Sequence, residues 1–197
     1  VQARMGSPRL PGKVMLPLGG QSVLAHVIER CRAIPSASKV VIATTVLPVD
    51  DIIEAEARRL GVDCYRGSEE DVLSRYYEAA KISRADAVVR ITSDCPLLDP
   101  HVSNQVIAAF LQDREADYCS NVMDRTFPRG LDTEVFSFQA LEDAHFHAVE
   151  PVEREHVTPY IIRRPERFRQ IGWQGESDDS GYRWTLDTID DYHLLYK

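Results

Sequence analysis

Short β-branched runs alternate with amphipathic segments along this chain, and no other feature limits its fold so strongly. Residues 39–44 read as a near-continuous apolar strand, as expected where both faces of a sheet are covered. Residues 62–65 and 87–92 read as further strands, the last of them central. Between them, Ser22 caps a helix whose Val23, Leu24, Val27, Ile28 and Cys31 share one face. A second helix starts at Asp50 and runs to Leu60, where Gly61 stops it. Ser68-Glu-Glu-Asp71 has the spacing of a capping box for a third, and Asp99-Pro100 opens a fourth. The pattern predicts a three-layer α/β/α domain on a mostly parallel sheet. Beyond Tyr118 the texture is less regular, with strand-like runs at 135–138, 168–173 and 183–188 and a polar helical stretch at 151–164 interrupted by Pro159. No repeat, low-complexity tract or linker divides the 197 residues, so one domain is expected over 1–197. Val1 is not an initiator methionine and Lys197 carries no helix cap. The first strand is therefore expected to have lost residues, and the natural chain to be longer.

Residues 2–13, Gln-Ala-Arg-Met-Gly-Ser-Pro-Arg-Leu-Pro-Gly-Lys, cannot form a regular helix, because Pro8 and Pro11 lack amide donors and Gly6 and Gly12 favour turns. Arg4, Arg9 and Lys13 make the loop cationic, while Met5, Leu10 and Val14 can anchor it to a core. A stiff, positive loop that opens its amides at glycines suits a polyphosphate. The formal charge of the whole chain is −8, so this local positive charge points to a small anionic ligand and away from nucleic acid.

Asp94 directly follows the predicted central strand, where ligands of open α/β sheets bind. It can equally cap the turn before Pro96. Asp187 ends a second strand-like run and can also cap the final helix. Two carboxylates at two strand ends can hold Mg²⁺ while substrate phosphates complete its shell. Arg129 and Asp132 lie in an unusual Pro-Arg-Gly-Leu-Asp turn and either touch substrate or pair with each other. Ser68 reads as a helix cap or a ligand, with Arg66 beside it in reach of a nucleotide pocket. Arg154, Glu155 and His156 read as a solvated helix face, and His145 and His147 as helical residues without a metal. Four cysteines without a Cys-x-x-Cys pair point to reduced thiols in the cytoplasm, and no apolar run reaches the ~18 residues of a membrane span. Gly-x-Ser-x-Gly, P-loop and Gly-x-Gly-x-x-Gly motifs are absent.

Residues 2–14, Leu18-Gly-Gly, Val27-Ile-Glu-Arg, Arg66-Gly-Ser-Glu-Glu-Asp-Val-Leu73, Arg90-Ile-Thr-Ser-Asp-Cys-Pro-Leu97, Phe127-Pro-Arg-Gly-Leu-Asp-Thr-Glu134, Glu153-Arg-Glu-His-Val157 and Arg183-Trp-Thr-Leu-Asp187 occur in order over nearly the whole chain. Together they resemble the sugar cytidylyltransferases of the spore-coat polysaccharide type, related to the CMP-sialic acid and CMP-Kdo synthetases. The resemblance implies a glycosyltransferase-A-like sheet and Mg²⁺-dependent transfer of CMP from CTP to a sugar of acidic or nonulosonic type. By position, Ala3, Arg4, Gly6, Ser7, Arg9 and Lys13 would hold the triphosphate, with Arg4, Lys13 and Asp94 acting in catalysis. Asp94 and Asp187 would bind metal, and Arg66 and Ser68 would lie near the base and ribose. Homodimers are common among such relatives, and 127–164 is the expected contact. The 127–134 segment departs from its sialic acid synthetase counterpart, so Arg129 and Asp132 are acceptor candidates of this chain alone. Two alternatives remain. A nucleotide-sugar glycosyltransferase would normally carry Asp-x-Asp, which Ser93-Asp94-Cys95 lacks, and a non-catalytic nucleotide binder would have no physical need to keep these charges together.

Overall fold

The computed structural model describes residues 1–197. A 3₁₀ turn at Lys13–Met15 leads into a small hairpin of β1 (Pro17–Leu18) and β2 (Gln21–Ser22) and then α1 (Val23–Arg32). β3 (Val41–Thr45), α2 (Asp51–Leu60), β4 (Asp63–Gly67), α3 (Val72–Ser83), β5 (Ala87–Arg90) and α4 (Pro100–Gln112) follow in strict alternation. The second half holds β6 (Tyr118–Ser120), β7 (Glu134–Ser137), α5 (Phe138–His147), α6 (Pro151–His156), α7 (Pro159–Ile162), β8 (Gln170–Gly172) and α8 (Ile189–Tyr196).

β3 pairs with β4 in parallel, while β7 lies antiparallel between β5 and β6, and β8 runs parallel to β6. Residues 1–3 join these two ladders. Gln2 bridges Ala43 on one side and Thr92 on the other, both in parallel. The Ala43 amide donates to Val1 O (2.8 Å), and the Ser93 amide to Gln2 O (3.2 Å). The sheet therefore reads β4, β3, residues 1–3, β5, β7, β6, β8. The loop after residue 3 and the turn at 93–96 consequently leave neighbouring strand ends on the same edge, which is where the site forms.

Alternation within strands explains the layers. On β6 and β7, Tyr118 and Phe136 pack with Leu73, Tyr76 and Leu141 on one face, while Cys119 and Val135 pack with Val27, Val106 and Ile107 on the other. Phe136 is fully buried, so its truncation to alanine should cost about 3–5 kcal/mol. Ala3 and Val14, which flank the cationic loop, pack with Leu24, Ile28, Ile42 and Ile53. This fixes the loop at both ends. An apolar cavity of about 400 Å³ beside Val1, Val41 and Val89 lies toward the opposite edge of the sheet, away from Asp94 and Lys13.

Several expectations hold locally. Ser22 caps α1 by accepting the Ala25 amide (3.0 Å), Gly61 ends α2 at φ +65°, and Asp99 caps α4. Others need correction. The cap of α3 is Asp71, whose carboxylate accepts the Ser74 amide at 2.9 Å. Ser68 Oγ accepts the Asp71 amide (3.2 Å) and shapes the turn before the helix. Residues 183–188 form no strand: they run extended with a single bridge, Arg183 to Arg129, because no strand lies alongside for them to continue the ladder. The cap of α8 is Thr188, reciprocated by Asp191 in a capping box, and not Asp187. Arg154 is not solvated, since its guanidinium grips Asp71 and donates to His145 O. His145 stacks on Tyr77 with ring centres 4.1 Å apart.

Candidate active site

Lys13 is the centre of the site. Its Nζ donates to Asp94 Oδ2 (2.9 Å), Asp187 Oδ1 (2.9 Å) and Leu186 O (2.8 Å). Residues 94 and 187, predicted as a pair from two strand-like ends, are thus brought together on one ammonium. Arg9 Nη2 reaches the same Asp187 oxygen at 2.8 Å, and Arg183 Nη2 reaches the other at 2.7 Å. Burial pushes the Asp187 carboxyl up, but hydrogen bonds from Lys13 and Arg183 and the charges of Lys13 and Arg9 outweigh it and hold it below the usual range. Asp94 accepts in addition from Thr92 Oγ1 at 2.6 Å.

Three features prepare this geometry. Gly12 sits at φ +70°, and its amide and the Ser7 amide both donate to Met5 O (2.9 Å each), which folds the loop back on itself. Asp50 is 1% exposed and accepts the Met5 amide at 2.7 Å through Oδ1, while Thr45 bonds its other oxygen. The Arg4, Gly6 and Arg9 amides are left with no partner in the chain. Asp50 was legible only as a helix start. The structure shows its side chain turned from α2 to the loop, with no capping bond to the helix.

Asp187 is held from the other side by a clamp. Arg183 Nε bonds Asp191 Oδ1 (3.2 Å), and Asp191 Oδ2 accepts the amides of Asp187 (2.8 Å) and Thr188 (2.9 Å). Burial opposes ionisation of Asp191, yet Arg183 and these two amides bring its pKa down to about 2. No sequence signal pointed to this clamp, because an i, i+4 pair such as Arg183 and Asp187 is expected to meet on a helix and residues 183–187 are extended. Gly130 lies against the same segment. At φ +112°, its missing Cβ would meet Trp184 C at 2.7 Å and Trp184 O at 2.8 Å.

Next to Asp94 a polar cavity of about 290 Å³ is lined by Arg90, Thr92, Arg125, Asp132, Glu134 and His156, among others. Its floor is a buried network: Glu134 accepts from Arg90, from Tyr118 Oη (2.7 Å) and from Thr158 Oγ1 (2.7 Å), while Arg90 Nε is left without a partner. Its wall carries a two-bond fork of Arg125 on Asp132, at 2.6 and 3.0 Å. Asp132 therefore pairs with Arg125 and not with Arg129, whose side chain is exposed and outside this cavity.

The remaining candidates sit at the rim. Arg4 is 3.9 Å from Glu69, a contact too long to fix it. Gly6 faces the same Glu69 side chain, 3.4 Å from its would-be Cβ, and Ser7 Oγ accepts the Leu10 amide only weakly at 3.5 Å. Ala3 is buried in the sheet. Arg66 is committed elsewhere: it pairs with Asp51 (2.7 Å) and Glu54 (2.9 Å) and donates to Thr45 O and Leu47 O. That ties down the corner between β3 and α2 and leaves the guanidinium little to offer a base. Asp94 and Asp187 are two hard oxygen donors already gathered on a cation, and this suits Mg²⁺, which needs one or two carboxylates beside substrate phosphates.

An α/β sheet with a cationic, glycine-bearing loop and two acids at its carboxyl edge defines the nucleotidyltransferase fold. The chain superposes with a TM-score of 0.74 on a CMP:2-keto-3-deoxy-manno-octonic acid synthetase in complex with CTP, at 16% identity and over 99% of this chain and 94% of the other. The chain belongs to the cytidylyltransferase family, whose model matches residues 1–195. It is similar to a cytidylyltransferase structure from Leptospira borgpetersenii, with a TM-score of 0.95, 41% identity, and 99% and 82% of the two chains covered. In sequence it is 36% identical to the spore coat polysaccharide biosynthesis protein SpsF of Bacillus subtilis, over 99% of this chain and 82% of that one. It is 33% identical to a 3-deoxy-manno-octulosonate cytidylyltransferase of Trichlorobacter lovleyi, over 56% and 43%. The expected family, its fold and its enzyme class as a nucleotidyltransferase are all borne out.

Proposed function

We propose that this chain transfers CMP from CTP to a hydroxyl of a sugar and releases pyrophosphate, in the building of a surface polysaccharide or glycoconjugate. The observation that carries the reading is the gathering of Asp94, Asp187, Lys13 and Arg9 at one point on the carboxyl edge of the sheet. The sugar oxygen attacks the α-phosphate in line, its bond to phosphorus forms as the bond to the pyrophosphate oxygen breaks, and the hydroxyl proton leaves to solvent. Arg4, Arg9 and Lys13 neutralise the phosphates, and the unpartnered amides of Gly6 and Arg9 add donors to them. Asp94 and Asp187 would hold Mg²⁺, which when bound neutralises phosphoryl charge and lowers the pKa of the attacking hydroxyl. No side chain here has to act as general base, so alignment supplies much of the rate.

The acceptor enters the polar cavity beside Asp94, where Arg125, Asp132 and His156 offer donors and acceptors to a polyhydroxylated ring. Asp132 keeps its role as an acceptor candidate in this reading, and Arg129 does not. The fork on Asp132 leaves three N–H donors of Arg125 for an acidic or nonulosonic sugar. None of the helices is long and apolar enough to cross a membrane. The reading places the enzyme in the cytoplasm, with its four cysteines free, as a homodimer joined through 127–164, where Phe146 and Val149 are exposed. A monomer in light scattering would remove the pairing. The reaction is tested by pyrophosphate release from each of the four nucleoside triphosphates against acidic and neutral sugars with Mg²⁺. Release with CTP and one sugar is expected. Release with another triphosphate in place of CTP, or none from any pair, would overturn the reading.

A further inference from the structure

The ammonium of a lysine has three donors, and in Lys13 all three are spent, on Asp94 Oδ2, Asp187 Oδ1 and Leu186 O. The side chain is only 11% exposed, so water does not share the work. In this arrangement Lys13 has no donor left for a phosphate, and its charge stands where the proposed function puts the metal. Without a cation between them, the two carboxylates would repel across a partly buried gap. We propose that Lys13 is a resident counter-ion: it holds Asp94 and Asp187 together before substrate arrives, then yields that place to the metal and turns to the triphosphate. This rests on the reading of Asp94 and Asp187 as the metal pair.

The neighbouring charges make the exchange possible. Asp187 keeps Arg9 and Arg183 on its two oxygens when Lys13 leaves, so it stays in position. Asp94 keeps Thr92 Oγ1 on its Oδ1. Arg9 is 63% exposed, and the loop amides around it have no partner, so the phosphates can give the departing ammonium new acceptors close by. Metal alone must displace an ammonium with nothing to receive it, whereas metal and triphosphate together supply both parts of the exchange. Metal and CTP should therefore bind with mutual reinforcement.

Mn²⁺ serves as the probe, followed by electron paramagnetic resonance on the nucleotide-free full chain. Lys13→Met and Lys13→Gln remove the competing charge and should bind Mn²⁺ roughly ten- to a hundredfold more tightly than the unaltered chain, as expected for loss of a cation within contact of two carboxylates. Adding Asp94→Asn to either variant should abolish the gain. Equal or weaker Mn²⁺ binding in both folded variants would overturn the proposal. On the unaltered chain CTP should tighten Mn²⁺ binding at least about tenfold, and in Lys13→Met it should tighten it distinctly less, because no ammonium then needs a new partner; equal reinforcement in both would also overturn the proposal. A gain in Mn²⁺ affinity that survives Asp94→Asn would instead remove the metal pair on which the proposal stands. Failure of CTP to bind in calorimetry would count against the cytidylyltransfer reading and leave the Mn²⁺ comparison decisive for Lys13.

Discussion

Gly130→Ala is the most pointed test of how the site is held. The new methyl carbon would sit 2.7 Å from Trp184 C and 3.0 Å from Thr185 N, against 3.4 Å or more in ordinary contact, so backbone has to retreat by about 0.7 Å. Overpacking of this kind costs about 1–3 kcal/mol, and φ +112° adds about 1–2 kcal/mol for any residue with a side chain. The sum, roughly 2–5 kcal/mol, predicts a melting temperature about 4–20 °C lower in a chain of this length. The displaced segment ends at Asp187, so the harm should be chemical as well as thermal. A shift approaching 1 Å at a catalytic group costs up to about a hundredfold in rate, and kcat should fall about ten- to a hundredfold when measured at a temperature where the variant is fully folded. Gly181→Ala is the control, since nothing lies within 4 Å of its would-be Cβ and its backbone is unstrained. Pyrophosphate release and thermal melts on both variants decide the matter. A Gly130→Ala enzyme that melts within about 2 °C of its parent and keeps its kcat would refute the argument, and loss of stability with kcat intact would refute its second half.

Further outcomes are expected. Arg125→Met should raise the sugar KM at least tenfold with the CTP KM nearly unchanged, while Arg129→Ala should leave both within twofold; the reverse order would relocate the acceptor. Asp94→Asn should lose about a hundredfold or more in turnover while CTP binding in calorimetry persists, and retained turnover would remove Asp94 from the chemistry. The folded pKa of Asp191 is about 2, below the unfolded carboxylate value, so the native state binds fewer protons there. Its contribution is complete above about pH 4 and is lost as pH falls toward 2. Hydrogen exchange of α8 should accelerate over that window, and Asp191→Asn should remove the pH dependence; an unchanged acid profile in the variant would count against the clamp.

The alternation of strands and helices through Gln112 and the caps at Ser22 and Asp99 could be read from local chemistry, because each rests on neighbours close in sequence; residues 94 and 187 do meet, although the strand expected before Asp187 is only an extended run. What escaped reading depends on partners far apart. Nothing local tells Asp132 to choose Arg125 over Arg129; only in the fold does Arg125 fork onto Asp132 while Arg129, its backbone bridged to Arg183, is left exposed. The antiparallel insertion of β7 between β5 and β6 is likewise invisible in a Glu-Val-Phe-Ser run that would suit either direction. Asp50 shows the same limit, for a carboxylate at a helix start has two possible customers and only the folded loop reveals that Met5 wins.

Lys13 and Asp187 are 174 positions apart, and closing a chain over that span costs about 4–5 kcal/mol in entropy. Burial of Leu186 against Leu18 and Val23 helps to offset it. A chain cut after residue 180 therefore keeps every strand of the sheet and the whole cationic loop but lacks Asp187, the second acid of the proposed pair. On the proposed reading, such a clipped chain keeps the phosphate-binding loop and loses the chemistry, so binding and turnover part company at that cut.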